Sequence, residues 1–420
     1  MSVSSAVRPL GPPSGGSGLV SGLDAFLGSV RCRPRLLGLG EPTHGVEAFP
    51  RLRNRVLRHL VERWGYRSIA VESDCLAALA VDAYVRGGDG DLDEVLSTGF
   101  SHGFGEQAAN RELLEWMRAY NGGREPADRV GFHGFDGPLE MSGAASPRTA
   151  LAGLHAYLAA YVDPGRIPHG WENVDALLGD DGEWTEPAAM MDPGRSIGAG
   201  ERARELRIVA DDLAGLLWSE APELVASGSR EEYRRACLFG RTARGLLRYH
   251  AVMADSSVGQ ATRVGRLGGA RDAMMADNLL ALVRAERDRG PTLVFAHNQH
   301  LRRERAAMTM AGSQVGWWCA GAVAATALGE EYAVIAADTG TAPWPGLEDP
   351  GPDTVRGVLR EATEGEALFA ADRVAAVLDG RGGATASDTA RDYRYFPLGL
   401  ADLGGVDAVA FLEDAASGTG

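Results

Sequence analysis

Cysteine is scarce in the 420-residue chain, and the four present (Cys32, Cys75, Cys237 and Cys319) lie far apart with no C-x-x-C spacing. That excludes a zinc ribbon or a thioredoxin-type motif and offers no disulfide framework. No apolar run approaches the roughly 20 residues that span a bilayer. The opening "MSVSSAVRPLGPPSGGSGLV" has no apolar segment behind a basic start, so it does not read as a secretory signal. A cytoplasmic location with no membrane partner is expected. Positive charge is also in short supply. A net charge of −15 argues against a nucleic-acid partner, because such binders need a basic stripe to release counterions. H-E-x-x-H, a P-loop and a G-x-G-x-x-G after the first predicted strand are all missing. "GRSIG", Gly194 to Gly198, matches the nucleophile elbow only in form, since it follows the loop-like "EPAAMMDP" and not a strand.

What is present describes an ordinary globular protein. Apolar residues make up 45% and charged residues 24%, and the length allows one large domain or two to three small ones. Residues 1–22 are rich in Ser, Gly and Pro and read as a disordered tail. "RPRLLGLGE" then has the length of a strand. In "RLRNRVLRHLVERW" the residues Leu52, Val56, Leu57, Leu60 and Val61 recur at helical spacing, and Gly65 follows where a capping glycine belongs. "YRSIAVESD" is a second strand, and "RELLEWMRAYN" a helix leading to a third strand, "DRVGFHGFD".

Residues 146–289 differ, being helical in pattern, with "HGWENVDALLGDDGEWTEPAAMMDPGRSIGAG" reading mostly as loop. Strand-like runs return in "PTLVFAHN", "EYAVIAADT" and "VDAVAFLED". The expected fold is α/β: a parallel-rich central sheet flanked by helices, with a large helical insertion forming a cleft over the strand C-terminal ends. Residues 23–145 and 290–420 would supply the two parts of the core.

Ligands of open parallel sheets bind outside the carboxyl ends of the strands. Four predicted strands end in ionisable residues: Glu41 with His44, Glu72 with Asp74, His133 with Asp136, and His297 with His300. In one sheet, these ends would converge carboxylates and imidazoles on a single crevice. Blander readings exist for several of them. Glu41 would also serve as a cap for the next helix, Asp74 and Asp136 as caps or turn residues, and His102 in "SHGFGE" as a plain loop residue instead of a pocket wall.

With these residues in view, "GLGEPTHG", a helix, and "GYRSIAVESD" together resemble the erythromycin esterase family, which takes in macrolide esterases and succinoglycan-biosynthesis-like proteins. "LLEWMRAYN", "VGFHGFD", "RDAMMADN", "LVFAHNQH" and "VDAVAFLED" follow in family order. The resemblance implies ester hydrolysis without a metal or other cofactor, as in the opening of a macrolide lactone. It implies His44 as the catalytic histidine, Glu41 and Glu72 as its carboxylate partners, and His297 as a second histidine. Arg53 and Arg271 match arginines expected near the site. Asp74, His102, His133, Asp136 and His300 are candidates for binding substrate.

The chain departs from the family where Ala48 and Phe49, with Glu47 one place earlier, replace an acidic–aromatic pair, and where "FSHGFGEQAAN" replaces a Trp-rich segment. The expected partner is a small-molecule ester, lactone or polyketide- or sugar-like intermediate, handled by a monomer or homodimer. Three rivals remain at this point. The same base could drive elimination, cyclisation or acyl migration; Glu41, His44, Glu72 and His297 could ligate a divalent ion; or the pocket could bind without catalysis.

Overall fold

A computed structural model describes residues 7–11, 18–140, 143–310, 313–341, 350–363, 365–381 and 395–415. Its strands are β1 (Leu36–Glu41), β2 (Ser68–Asp74), β3 (Gly131–Asp136), β4 (Leu139–Glu140), β5 (Gly143–Ala144), β6 (Thr292–His297), β7 (Arg305–Met310), β8 (Ser313–Trp318), β9 (Tyr332–Thr341), β10 (Glu366–Ala370) and β11 (Ala408–Asp414). Seven of them form one sheet in the order β10-β11-β9-β1-β6-β2-β3. Every neighbouring pair is parallel except β10 with β11. The expected α/β sheet is therefore present, closed at one edge by an antiparallel strand. β4–β5 and β7–β8 are separate two-stranded hairpins.

The sheet is buried on both faces, as parallel sheets are. Leu37, Leu39, Ile69, Val71 and Phe132 pack under helix residues such as Leu52, Leu57, Leu60, Leu113 and Leu114. On the opposite face Val294, Ala296, Val334 and Ala336 meet Met275, Leu279, Leu359 and Val374. The helix Ala48–Trp64 buries the stripe read from the sequence and ends on Gly65, whose φ of 71° is left-handed and whose N–H bonds Leu60 O. A glycine takes that conformation without the Cβ clash that penalises other residues.

The helical stretch within 146–289 is built from the helices Arg148–Tyr161, Glu201–Ser219, Arg230–Met253 and Gln260–Ala285. The first three share their own apolar core, with Leu151, Leu154, Leu158, Leu206, Leu213 and Leu247 fully buried. Two expectations need correcting. The stretch 169–200 is mostly short helical turns, including Trp171–Leu178 and Asp181–Trp184. Buried Val174, Leu178 and Trp184 anchor them to the helical core, so tertiary contact overrides the Gly/Pro/Asp composition. The supposed tail, so far as residues 7–11 and 18–22 are described, is docked. Val7 is buried, Leu10 N–H bonds Leu368 O, and Leu19 and Leu23 seat the helix Gly18–Ser29 in the core.

One local requirement shapes the strand that carries the site. Asn298 reaches past β1 to β9, donating through Nδ2 to Ala337 O at 2.8 Å and accepting from Ala337 N–H at 3.1 Å. A Cβ on Gly40 would lie 2.0 Å from the Asn298 Oδ1. The glycine before Glu41 thus opens the slot through which neighbouring strand ends are tied together.

Candidate active site

β1, β6 and β2 lie side by side, so their C-terminal ends place Glu41, His297 and Glu72 along one edge. After Glu41 the chain turns through Gly45, whose φ is 81°, and His44 folds back on the strand end. Its Nδ1 lies 2.7 Å from Glu41 Oε1 and its Nε2 3.7 Å from Glu72 Oε1. The His44 side chain keeps 39% of its surface exposed, while Glu41 and Glu72 are buried. Glu41 therefore holds the histidine and does not cap the next helix. Glu47 also has a structural task, accepting from the N–H groups of Ala108 and Ala109 at the start of the helix Ala108–Asn121.

Glu72 is the hub. Its Oε1 lies 3.1 Å from Arg271 Nη2 and 3.3 Å from His300 Nε2, and its Oε2 accepts the His297 N–H at 2.8 Å. Arg271 comes from the helix Gln260–Ala285 and also grips Asp136 through Nε and Nη2, at 3.0 and 2.6 Å. His300 Nδ1 lies 2.8 Å from Asp272 Oδ1. Asp272 in turn accepts from Trp317 Nε1 and from the Ala320 N–H, both at 2.7 Å.

His297 sits between the two carboxylates with its ring already engaged. Nε2 donates to Pro42 O at 3.0 Å and Nδ1 accepts the Gln299 N–H at 3.2 Å. It thereby fixes the loop that carries His44. Ring contacts continue from Phe396 to His297, His44 and Phe104, with centroids 5.0, 5.4 and 5.2 Å apart.

His102 enters from the loop before Phe104. Its Nδ1 lies 2.9 Å from Glu140 Oε2 and its Nε2 3.3 Å from Asp136 Oδ2. The ring is a wall of the same cluster, so the plain loop reading does not hold.

Three expected residues stand elsewhere. Asp74 spends its Oδ1 on the N–H groups of Leu76 and Ala77, as a cap for the turn that follows β2. His133 lies three residues before the end of β3, about 10 Å down the strand at ~3.3 Å per residue. It is half-buried beside the charges of Asp82, Arg86, Glu286 and Arg289, with Nε2 buried and unpaired among the described residues. Arg53 is 1% exposed, bonds Asn54 Oδ1 and lies over the Phe295 ring. It acts on the site through its charge, which favours ionised Glu41. Asp272, Trp317, Phe104 and Glu140 were not anticipated. Asp272 had a signal, its place beside Arg271 in "RDAMMADN"; the others are brought in by tertiary folding.

The cluster's charges decide its protonation. Burial by itself would lower His44, but the charges of Glu72 and Glu41 and the bonds to them raise it to about 10. Burial also opposes the charged form of His300, yet Asp272 and Glu72 raise it to about 10. Burial would raise Glu72, and the two imidazoles hold it well below the usual carboxylate range. Burial raises Glu41 against the pull of His44. Asp136 is buried too, but Arg271 keeps it lowered. Burial, helped by the charge on His44, pushes His297 down to about 3, in keeping with its one donated and one accepted bond.

Two wide surface hollows lie away from this cluster. One of about 380 Å³ is lined by Arg204, Arg207 and Arg248, and another of about 540 Å³ by Arg33, Arg35 and Arg287. Neither contains paired acid–base groups of the kind assembled around Glu72, so chemistry and not size selects the site. A narrower cavity of about 100 Å³ opens beside Gly137, next to Asp136. Among the described residues, no group of three or more His, Cys, Asp or Glu side chains is arranged to hold a metal ion. No helix among them is long and apolar enough to cross a membrane.

Comparisons with known proteins agree with this architecture. A protein from Bacillus cereus matches at 16% identity and a TM-score of 0.69, over 97% of this chain and 95% of that one. A mutant of the erythromycin esterase EreC in its open conformation matches at 20% identity and a TM-score of 0.66, over 96% of each chain. A succinoglycan biosynthesis protein matches at 16% identity and a TM-score of 0.67, over 97% of this chain and 94% of that one. Identities this low speak for the fold alone. The family model for erythromycin esterase matches residues 61–415, a span that starts after Glu41 and His44 and includes Glu72, Arg271, His297 and His300. The chain belongs to the erythromycin esterase family.

Proposed function

We propose that the chain is a carboxylic ester hydrolase in which His44 activates water. One observation carries this reading: His44 is held by Glu41 through Nδ1, while Nε2 and an exposed edge face the cluster. A histidine oriented at one nitrogen by a carboxylate, with an exposed edge at the other, serves as a general base in its neutral form, and Glu41 and Glu72 place that form above the ordinary histidine value. Water is the nucleophile. Among the described residues, no serine, threonine or cysteine side chain bonds the rings of His44, His102, His297 or His300, and the chain has no lysine at all. Arg271, cationic and next to Glu72, is the group best suited to a developing oxyanion. His297, with both ring nitrogens bonded, holds the loop and leaves that role to the arginine.

The substrate in this proposal is an ester or lactone of a medium to large hydroxylated molecule. Specificity resides in the helical segment 146–289, which brings Arg271 and Asp272 beside the strand ends, and in the loop around His102, where the sequence departs from the family pattern. Macrolide-lactone opening is accordingly expected to be weak. Incubating the purified protein with a panel of macrolides and other hydroxylated esters in ¹⁸O-water tests the reading by mass spectrometry. Products one labelled water heavier support hydrolysis, products of unchanged mass mean rearrangement, and loss of activity on exhaustive chelation would replace the His44 scheme with a metal-dependent one.

A further inference from the structure

We propose that His102 is the proton donor to the leaving oxygen, with Glu140 orienting it; this rests on the hydrolase reading above. Ester cleavage releases an alkoxide, and a positioned acid is needed to protonate it. The other rings are committed. His297 has both nitrogens bonded to backbone groups, His300 is buried between Asp272 and Glu72, and a guanidinium does not give up its proton.

His102 is different in three respects. It is the one non-glycine residue with positive φ among the described residues, at 59°, and such strain of about 1–3 kcal/mol persists where the surroundings enforce it. Glu140 supplies the enforcement, accepting the His102 backbone N–H at 3.0 Å through Oε1 and facing the ring Nδ1 at 2.9 Å through Oε2. The other nitrogen is loosely held. Nε2 stands 3.3 Å from Asp136 Oδ2, an oxygen already bonded by Arg271 Nη2 at 2.6 Å and Nε at 3.0 Å, and 3.4 Å from Arg271 Nη2, a donor that the ring can accept from once its Nε2 proton has gone. An Nε2 proton is therefore the one in the cluster that a leaving oxygen can take with least disruption. Phe104 stands between the two histidines, its ring 5.6 Å from His102 and 5.2 Å from His44, so that base and acid flank one aromatic wall.

The step balances. A water oxygen attacks the carbonyl carbon as His44 Nε2 takes one water proton. The tetrahedral adduct collapses, the carbon–oxygen bond breaks with its electron pair passing to the leaving oxygen, and that oxygen takes the Nε2 proton of His102. His44 then loses its proton to solvent and His102 regains one, with Glu140, 57% exposed, beside it at the surface. One water is consumed, and one acid and one alcohol are formed.

The test is leaving-group dependence, which a purely structural role would not produce. Wild type, His102→Gln, Glu140→Gln and His44→Ala are assayed with p-nitrophenyl butyrate, whose phenolate leaves without a proton, and with ethyl butyrate, whose alkoxide needs one. His102→Gln is expected to lower kcat on the ethyl ester about 100-fold or more, the low end of general-acid effects, and on the aryl ester less than about threefold. Glu140→Gln, an exposed change that spares the fold, should show the same split more weakly, and it carries the test if His102→Gln does not fold. Equal losses on both esters, or none on the ethyl ester, overturn the assignment. His44→Ala should depress both esters. If it does not while the His102 split persists, the base assignment fails and the donor stands. If wild type is inert on both butyrates, the same comparison is made with alkyl and aryl esters of whichever panel acid it does release, and wild type inert on the whole panel overturns both proposals.

Discussion

Replacing Glu72 by Gln keeps the shape of the hub and removes the negative charge 3.7 Å from His44 Nε2. At that separation two unit charges interact by about 4 kcal/mol with an effective dielectric near 20, equivalent to about three pKa units. The His44 ring is 39% exposed, so solvent screening reduces the effect. The expected result is a fall of roughly one to two units in the His44 titration midpoint. The sign follows from the charge: a carboxylate stabilises imidazolium, so its loss favours the neutral ring. Side-chain NMR of histidine-labelled protein reads this directly, with the His44 signal assigned by its absence in His44→Ala. If His44 is the base, the acidic limb of the rate profile, expected above the ordinary histidine value in wild type, moves to lower pH by the same amount, and the plateau drops as the imidazolium formed in the transition state loses a partner. An unmoved His44 titration would refute the electrostatic account of the site and return Glu72 to the scaffold.

His44→Ala should cost at least about two to three orders of magnitude in turnover and also lower the thermal midpoint, since it leaves the buried carboxylates Glu41 and Glu72 without their shared cation; near-normal turnover in that variant would remove His44 from the mechanism. His300 is raised to about 10 by Asp272 and Glu72 against its burial, so its pairing stabilises the fold fully below the unfolded value of about 6.5 and progressively less as pH rises through the folded one. His300→Gln should therefore flatten the alkaline decline of Tm against pH, and an identical decline would mean that other groups cause it. Gly40→Ala must expel Asn298 from its slot and orphan buried backbone groups of Ala337, at about 2–4 kcal/mol. A denaturation midpoint within error of wild type would show that the strand ends are not tied through that side chain.

Much of the frame was legible. The apolar runs ending at Glu41, Glu72, Asp136 and His297 are strands of one sheet, because a run too short for a core helix and buried on both faces has few alternatives. The stripe from Leu52 to Val61 and the glycine at 65 specify a helix and its stop by local physics alone. The short turns of 169–200 were not legible, since Val174, Leu178 and Trp184 gain their helical geometry from a core they share with distant helices. The antiparallel β10 escaped for a related reason. Pairing partners such as Phe369 and Val409 are set by chain crossing and not by neighbours in sequence.

At the site the division is similar. Residue type and strand-end position brought Glu41, His44, Glu72, Asp136 and His300 into view, because parallel strands converge their carboxyl ends whatever their order. His133 misled because it lies three residues before the end of β3, deeper than Glu72 on β2, and depth cannot be read from residue type. Strand periodicity and residue type were enough to predict carboxylates and imidazoles meeting at one edge of a parallel sheet. Which partners each of them keeps came from the folded chain. The folded chain bonded both nitrogens of His297 to backbone, turned Asp74 into a cap, brought Arg271 and Asp272 in from the helix Gln260–Ala285, and strained His102 into place through Glu140. Whether a buried group can transfer a proton depends on the partners and solvent around it, and those come from segments far away in the chain.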